Sequence, residues 1–250
     1  MILRSLTQQP QVPYNSTIPE ANAMKITTLT FPVLASLARA SPVEPRQSCP
    51  QVHIFGARET TVSQANGYGT TAGLVNMVKQ AFPGATSEAI VYPACGGQAS
   101  CGGISYDQSQ WQGAEAVVRA VTDFNRRCPD TKIVLIGYSQ GGQIFDNALC
   151  GGAGSTLSGS ALQAVKAAIL MGDPRYVAGL SYNVGTCQAQ GFAARPRGFQ
   201  CSPADPSIIQ SYCDSTDPYC CNGYDANSHQ QYVNKYGQQA LEFIKRKLNA

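Results

Sequence analysis

The chain has 250 residues, enough for one domain with a sizeable core; only 13% are charged and 24 are glycine, which excludes a disordered chain and a coiled coil. The formal charge of +3 belongs largely to the N-terminus, where residues 1–40 hold Arg4, Lys25 and Arg39 against Glu20 and leave 15 basic and 14 acidic residues beyond them. That balance gives no reason to expect nucleic acid or an anionic membrane as a partner.

Residues 1–23 are polar, contain the only glycosylation sequon, Asn15-Ser16-Thr17, and read as an extra leader. Residues 24–40 have the layout of a signal peptide: Met24-Lys25, the mainly apolar Ile26 to Ala38, and the cleavage pattern Ala38-Arg39-Ala40. Residues 41–47, with two prolines and Arg46, read as a short propeptide, and 48–250 as a single domain. The apolar segment is too short to span a bilayer, so a soluble, exported monomer is expected. All ten cysteines lie from Cys49 onward, which suits an oxidising destination and up to five disulfides. Zinc is a poor reading, because the chain has only two histidines and no C-x-x-C pair.

Val52 to Gly56 reads as the first strand, ending in the loop Ala57 to Thr61. Thr71 to Phe82 reads as a helix with Leu74, Val75, Val78 and Phe82 on one face and Pro83-Gly84 as its stop. Ala89 to Pro93 reads as a second strand, followed by a loop from Cys95 to Cys101 short enough for its own disulfide and by a helix from Ser105 to Arg127 burying Ala116, Val117, Val121 and Phe124. Ile133 to Ile136, after Lys132, is an apolar run suited to a strand covered on both faces, and Ile144, Ala148 and Leu149 recur behind it at helical spacing. Ala164 to Met171 is another apolar strand leading to Gly172-Asp173-Pro174. The stretch to Pro206 has no strong periodicity, Ile208 to Tyr212 reads as a last short strand, and Tyr232 to Leu248 as a closing helix with Val233, Ala240, Leu241, Ile244 and Leu248 inward. Alternating strands and helices require a parallel sheet with helices on both faces, and ligands of such sheets sit at the C-terminal strand ends.

Between the third strand and its helix lies Gly137-Tyr138-Ser139-Gln140-Gly141, a G-x-S-x-G elbow. A sharp turn there needs small neighbours, lifts the serine hydroxyl above the sheet, and aims the next N–H at a developing oxyanion near the helix N-terminus. A serine nucleophile needs a base, and the chain order Ser, Asp, His leaves only His229; His53, in the first strand, reads as a structural imidazole. The orienting acid has six candidates. Asp146 would point away from a base entering from above, Asp173 fits a turn-fixing role, Asp225 is only four residues from His229, and Asp205 and Asp214 carry no distinguishing signal. Asp217 lies between Cys213 and Cys220, where a small disulfide loop would hold a carboxylate in one place, and is preferred moderately over Asp173.

Several long motifs in order extend the reading: Cys49 to Thr61, Pro93 to Gln98, Gly137 to Gly142, Met171 to Pro174, and Cys213 to Gly223. Together they resemble fungal acetylxylan esterases of the cutinase-like carbohydrate esterase family. The resemblance implies a three-layer α/β/α sandwich with a five-stranded parallel sheet and no lid. It implies the triad Ser139, Asp217 and His229, an oxyanion hole from Gln140 and Thr60, and a small acyl pocket lined or roofed by Glu59, Tyr138 and Tyr219. No cofactor is called for, and the substrate would be acetylated xylan or a related acetylated polysaccharide. Cys95–Cys101 and Cys213–Cys220 are supported by loop size and by the resemblance, and Cys49–Cys128 by the resemblance. Cys150, Cys187, Cys201 and Cys221 allow three pairings, of which Cys150–Cys201 with Cys187–Cys221 is taken. The nearest rival is a cutinase acting on longer-chain polyester, which needs an apolar rim where Asn222 to Ser228 and the loop after Cys95 are polar. A non-catalytic carbohydrate-binding relative is the other.

Overall fold

The computed structural model describes residues 48–249, so the leader, signal peptide and propeptide readings lie outside the described residues. The main elements in chain order are β1 (Val52–Ala57), α1 (Ala72–Ala81), β2 (Thr86–Ala89), α2 (Tyr106–Arg127), β3 (Lys132–Tyr138), α3 (Gln140–Cys150), α4 (Gly159–Ala164), β4 (Val165–Met171), β5 (Asn183–Val184), β6 (Ile209–Tyr212) and α5 (Tyr232–Leu248). The strands form one sheet in the order β2-β1-β3-β4-β6-β5, every pair parallel.

Side chains alternate across a strand, so a continuous apolar run feeds two cores at once. Along β3, Ile133 and Leu135 face a core completed by Val117, Val121 and Phe124 of α2 and Ile144, Phe145 and Ala148 of α3. Val134, Ile136 and Tyr138 face the other core, with Leu74, Val75 and Val78 of α1 and Ala240, Leu241 and Ile244 of α5. This is a three-layer α/β/α sandwich. Each fully buried aliphatic side chain contributes about 1.5–3 kcal/mol, so a charge at Ile136 would be among the most damaging single changes in the sheet.

Two expectations are corrected. The second strand is Thr86–Ala89, not Ala89 to Pro93: it is a sheet edge paired only with β1 from His53↔Thr86 to Gly56↔Ala89, and after the Ile90 N–H donates to the Gly56 carbonyl (2.8 Å) the chain turns off the edge, leaving Val91 73% exposed. The apolar run drew the reading past the pairing. The sheet has six strands rather than five, because the aperiodic stretch before Pro206 adds β5, whose two residues are too few to show a period. The helix α4 is likewise too short to have been read.

Five disulfides join Cys49 to Cys128, Cys95 to Cys101, Cys150 to Cys201, Cys187 to Cys221 and Cys213 to Cys220. Three of them stitch the irregular segments that follow β4.

Candidate active site

Ser139 sits between β3 and α3 with φ 53° and ψ −121°, a backbone that costs a non-glycine residue about 1–3 kcal/mol. The surrounding backbone fixes it there. The Ser139 N–H donates to the Met171 carbonyl of β4 (2.8 Å) and its carbonyl accepts from Gln143 (3.0 Å). The flanking glycines are required by contact: a Cβ on Gly137 would lie 2.3 Å from the Gly141 oxygen, and one on Gly141 2.2 Å from the Ala57 oxygen. Helix geometry leaves the N–H of Gln140, first residue of α3, without an intrahelical acceptor.

The loop after β1 packs on this turn. Arg58, buried, donates to the carbonyls of Val62 (2.7 Å), Tyr92 (2.6 Å) and Pro93 (3.2 Å), and the Tyr92 hydroxyl returns a bond to the Arg58 carbonyl (2.6 Å). Burial lowers the Arg58 pKa, partly offset by Tyr92 and Glu59. The Thr61 N–H donates to Ala94 (2.7 Å), both residues having positive φ. The Gln140 side chain closes the circuit, donating to the Cys95 carbonyl (3.1 Å) and accepting from the Ser109 hydroxyl (2.8 Å). Thr60 is thereby held beside the elbow, in the same cleft as Ser139.

His229 lies on a one-turn 3₁₀ segment just before α5. Its Nδ1 is 2.6 Å from Asp217 Oδ2. Asp217 is fully buried and saturated: Oδ2 also accepts from the Tyr232 hydroxyl (2.8 Å), and Oδ1 from the N–H groups of Tyr219 (2.7 Å) and Cys220 (3.3 Å). Burial alone would raise its pKa, but the bonds from His229, Tyr219 and Tyr232 and the His229 charge outweigh that and hold it below the ordinary value. Gly172, from the Gly-Asp-Pro turn, makes the room for the imidazole: a Cβ there would meet His229 Cε1 at 2.7 Å.

The other carboxylates are occupied elsewhere. Asp146 pairs with Arg195 (2.8 Å) in the interior. Asp173 accepts from the Arg175 N–H (2.9 Å), and burial next to Asp146 raises its pKa well above the usual range. Asp205 caps a turn at Ser207, Asp214 is bound by Lys235, Tyr236 and Thr186, and Asp225 accepts from the Asn227 N–H (2.9 Å). His53, on β1 where it pairs with β2, stacks on Phe124 with centroids 3.9 Å apart and bonds to Thr86 (2.7 Å).

A cleft of about 410 Å³ opens over Ser139 and His229. Its lining is polar at Glu59, Thr60, Thr61, Gln98 and Gln230 and aromatic at Tyr106, Phe192 and Tyr219. Tyr219 lies against the imidazole at 4.6 Å between centroids. Glu59 reaches the cleft but spends its carboxylate on the Thr70 N–H (3.1 and 3.3 Å) and hydroxyl, bracing the loop. Tyr138 departs from the expectation of lining the pocket: it is fully buried in the sheet's α1/α5 core, and its hydroxyl donates to the His229 carbonyl and accepts from the Tyr232 N–H (3.3 Å). As the last residue of β3, next to a serine whose side chain rises above the sheet, it points to the opposite face. Phe192, Tyr106, Gln98 and Gln230 were missed as cleft residues. The one sequence signal for Phe192 was a lone large aromatic among the small and polar residues Gln188 to Ala194.

Residues 48–248 match the family model described as Cutinase. A protein named Cutinase 11 from Verticillium dahliae is 59% identical over 91% of this chain and 78% of its own length. A protein named Acetylxylan esterase from Hypocrea jecorina is 59% identical over 86% of this chain and 74% of its own. The solved catalytic core domain of acetyl xylan esterase from Trichoderma reesei is 60% identical and superposes with a TM-score of 0.76, over 80% of this chain and all of that domain.

Proposed function

The chain belongs to the cutinase family, and from that premise we propose that it is a secreted serine esterase removing O-acetyl groups from acetylated xylan. The observation that carries the reading is the buried Asp217–His229 pair, 2.6 Å between heteroatoms, whose imidazole lines one small cleft with a serine on a strained elbow.

Ser139 is the nucleophile. His229 takes its proton as the oxygen attacks the acetyl carbonyl, and Asp217 fixes the imidazole tautomer and supports the imidazolium. The Gln140 N–H and Thr60 receive the tetrahedral oxyanion, each donor contributing about 3 kcal/mol. His229 then gives its proton to the departing sugar oxygen, which leaves as a hydroxyl; water repeats the sequence, and acetate leaves. These side chains and water supply every proton and electron pair the two steps need.

The cleft's composition supports a short acyl group on a hydrated substrate. Its lining is polar and aromatic, with none of the aliphatic side chains that would accommodate a long acyl chain. Five disulfides support work outside the cell, where oxidised cysteines persist. The testing experiment measures acetate release from acetylated xylan beside an acyl-length series of p-nitrophenyl esters. Turnover should be highest with acetyl and fall as the acyl chain lengthens. A preference for long chains would identify a polyester-cleaving cutinase instead. No turnover of any ester would leave a carbohydrate-binding relative.

A further inference from the structure

Phe192 is 60% exposed and lines the Ser139 cleft, in a segment the catalytic steps do not use. A single exposed phenylalanine is ordinary on a protein surface. What sets this one apart is how firmly it is held. The N–H groups of residues 191 to 195 all donate: Gly191 to Tyr176 (3.0 Å), Phe192 to Tyr219 (3.2 Å), Ala193 to Pro174 (3.2 Å), Ala194 to Gly191 (3.3 Å) and Arg195 to Arg175 (2.9 Å). Gly191 admits no side chain, since a Cβ would lie 2.3 Å from the Pro174 oxygen. Arg195 then anchors the segment to α3 through its buried pair with Asp146. The ring itself meets Tyr106 edge-on, centroids 5.3 Å apart, and Tyr106 is fixed by its hydroxyl bond to Gln143 of α3 (2.8 Å).

An apolar face kept in water and immobilised in advance loses little entropy when a ligand covers it. We infer that Phe192 is a stacking platform for a pyranose ring of the polysaccharide, holding the acetylated sugar so that its ester reaches Ser139. A xylopyranose carries no hydroxymethyl branch, so C–H groups present an apolar face to the ring while the hydroxyls radiate from the sugar's edge. The cleft offers both kinds of surface: an aromatic ring at Phe192 and polar side chains at Thr61 and Gln230. The inference rests on the esterase reading above and names the group that recognises its sugar.

The test compares Phe192→Ala, Phe192→Leu and Phe192→Trp with the parent enzyme on acetylated xylan and on p-nitrophenyl acetate, which carries no sugar. In the Ala and Leu variants the ratio of kcat/KM on acetylated xylan to that on p-nitrophenyl acetate should fall about tenfold, mainly through KM, and Trp should restore it. Equal losses on both substrates would mean that Phe192 only supports the fold; an unchanged ratio, or a loss confined to long-chain esters, would also overturn the platform. Calorimetric binding of acetylated xylotriose to Ser139→Ala, with and without Phe192→Ala, reads the same contact without chemistry: about tenfold weaker binding of the double variant is expected, and equal binding overturns the inference. If the parent enzyme hydrolysed no ester, the esterase reading would fall while this binding comparison still tested Phe192.

Discussion

The cleft is assembled from two regions built in different ways. One is the elbow: β1, β3 and α3 meet so closely that backbone touches backbone, and Ser139 is held at φ 53° by one hydrogen bond to β4, one from α3 and glycines with no room for a methyl group. The other is the chain from Gly172 to Gln231, mostly without regular structure, which brings Phe192, Asp217 and His229 to the same place by disulfides and side-chain bonds. In the first region the sheet enforces a strained backbone. In the second, cross-links take the place of secondary structure and a cluster of donors saturates one carboxylate. A site needs its nucleophile exposed at a fixed angle but its acid buried, and the two constructions answer those separate needs.

The largest effects should come from removing the chemical group each region presents. Ser139→Ala should lower kcat on p-nitrophenyl acetate about 10⁶-fold while leaving the melting temperature nearly unchanged, because the strained backbone stays and only an oxygen is lost. Retained turnover would remove the serine mechanism. Asp217→Asn should lower kcat about 10⁴-fold, since an amide can present a donor to the imidazole and stabilise the wrong tautomer. It should also cost stability, which the serine variant should not, because the Tyr219, Cys220 and Tyr232 donors all converge on that carboxylate. If both variants unfolded alike, the division of labour between the two regions would be wrong.

Next come the cross-links, where effects on stability and activity should separate. Loop-closure entropy gives Cys49–Cys128, with 79 residues of separation, about 4.5 kcal/mol, and Cys213–Cys220, with 7, about 2.5 kcal/mol. Replacing the long pair by serines should therefore cost more in chemical denaturation. Replacing the short pair should cost more in kcat, because that loop carries Asp217. Equal activity losses would mean that the small loop holds the acid without its disulfide.

The same division governs what the amino-acid order discloses. β3 and its elbow are legible because an unbroken apolar run, two glycines and a helical repeat are local signals of a sheet with a cover on both faces. β2 is displaced by four residues or so toward Ile90 to Tyr92 for the opposite reason: its pairing residues, Thr86-Ser87-Glu88-Ala89, form an edge and are hardly apolar. In the second region only the short strand at Ile208 to Tyr212 gives a local signal, and His229 is found because it is the one histidine after Ser139; the rest is recognised through cysteine spacing and motif resemblance or not at all. Phe192 and β5 fall into the last group. Tyr138 shows a further limit, since the motif gives its position beside the serine, while only the alternation of the strand puts its side chain beneath the site, against the His229 backbone.

The smallest effect, and the sharpest contrast, is in pH dependence. Asp217 has its pKa depressed in the folded protein, so it binds its proton less tightly there than in the unfolded chain; its contribution is present above the ordinary carboxylate value of about 4 and is lost as pH falls below it. Asp173, two residues after β4, has the reverse sign. Burial raises its pKa most, Asp146 adds to that, and Arg175 and Arg195 counter only in part, so the folded state favours the protonated acid. Its contribution is present below about pH 4 and is lost as pH rises through the elevated value. Asp173→Asn keeps an oxygen for the Arg175 N–H and removes the titration. Urea unfolding of this variant from pH 4 to 8 should lack part of the parent's loss of stability on the alkaline side, with the difference between the two growing as pH rises. Asp217→Asn should instead be less stable than the parent by a nearly constant amount across that range, and the gap should close only as pH falls below about 4. Parallel curves for Asp173→Asn and the parent would mean that the charge at Asp173 is matched by Arg175 and Arg195, and that the interior beneath α3 is as well compensated as the carboxylate beside His229.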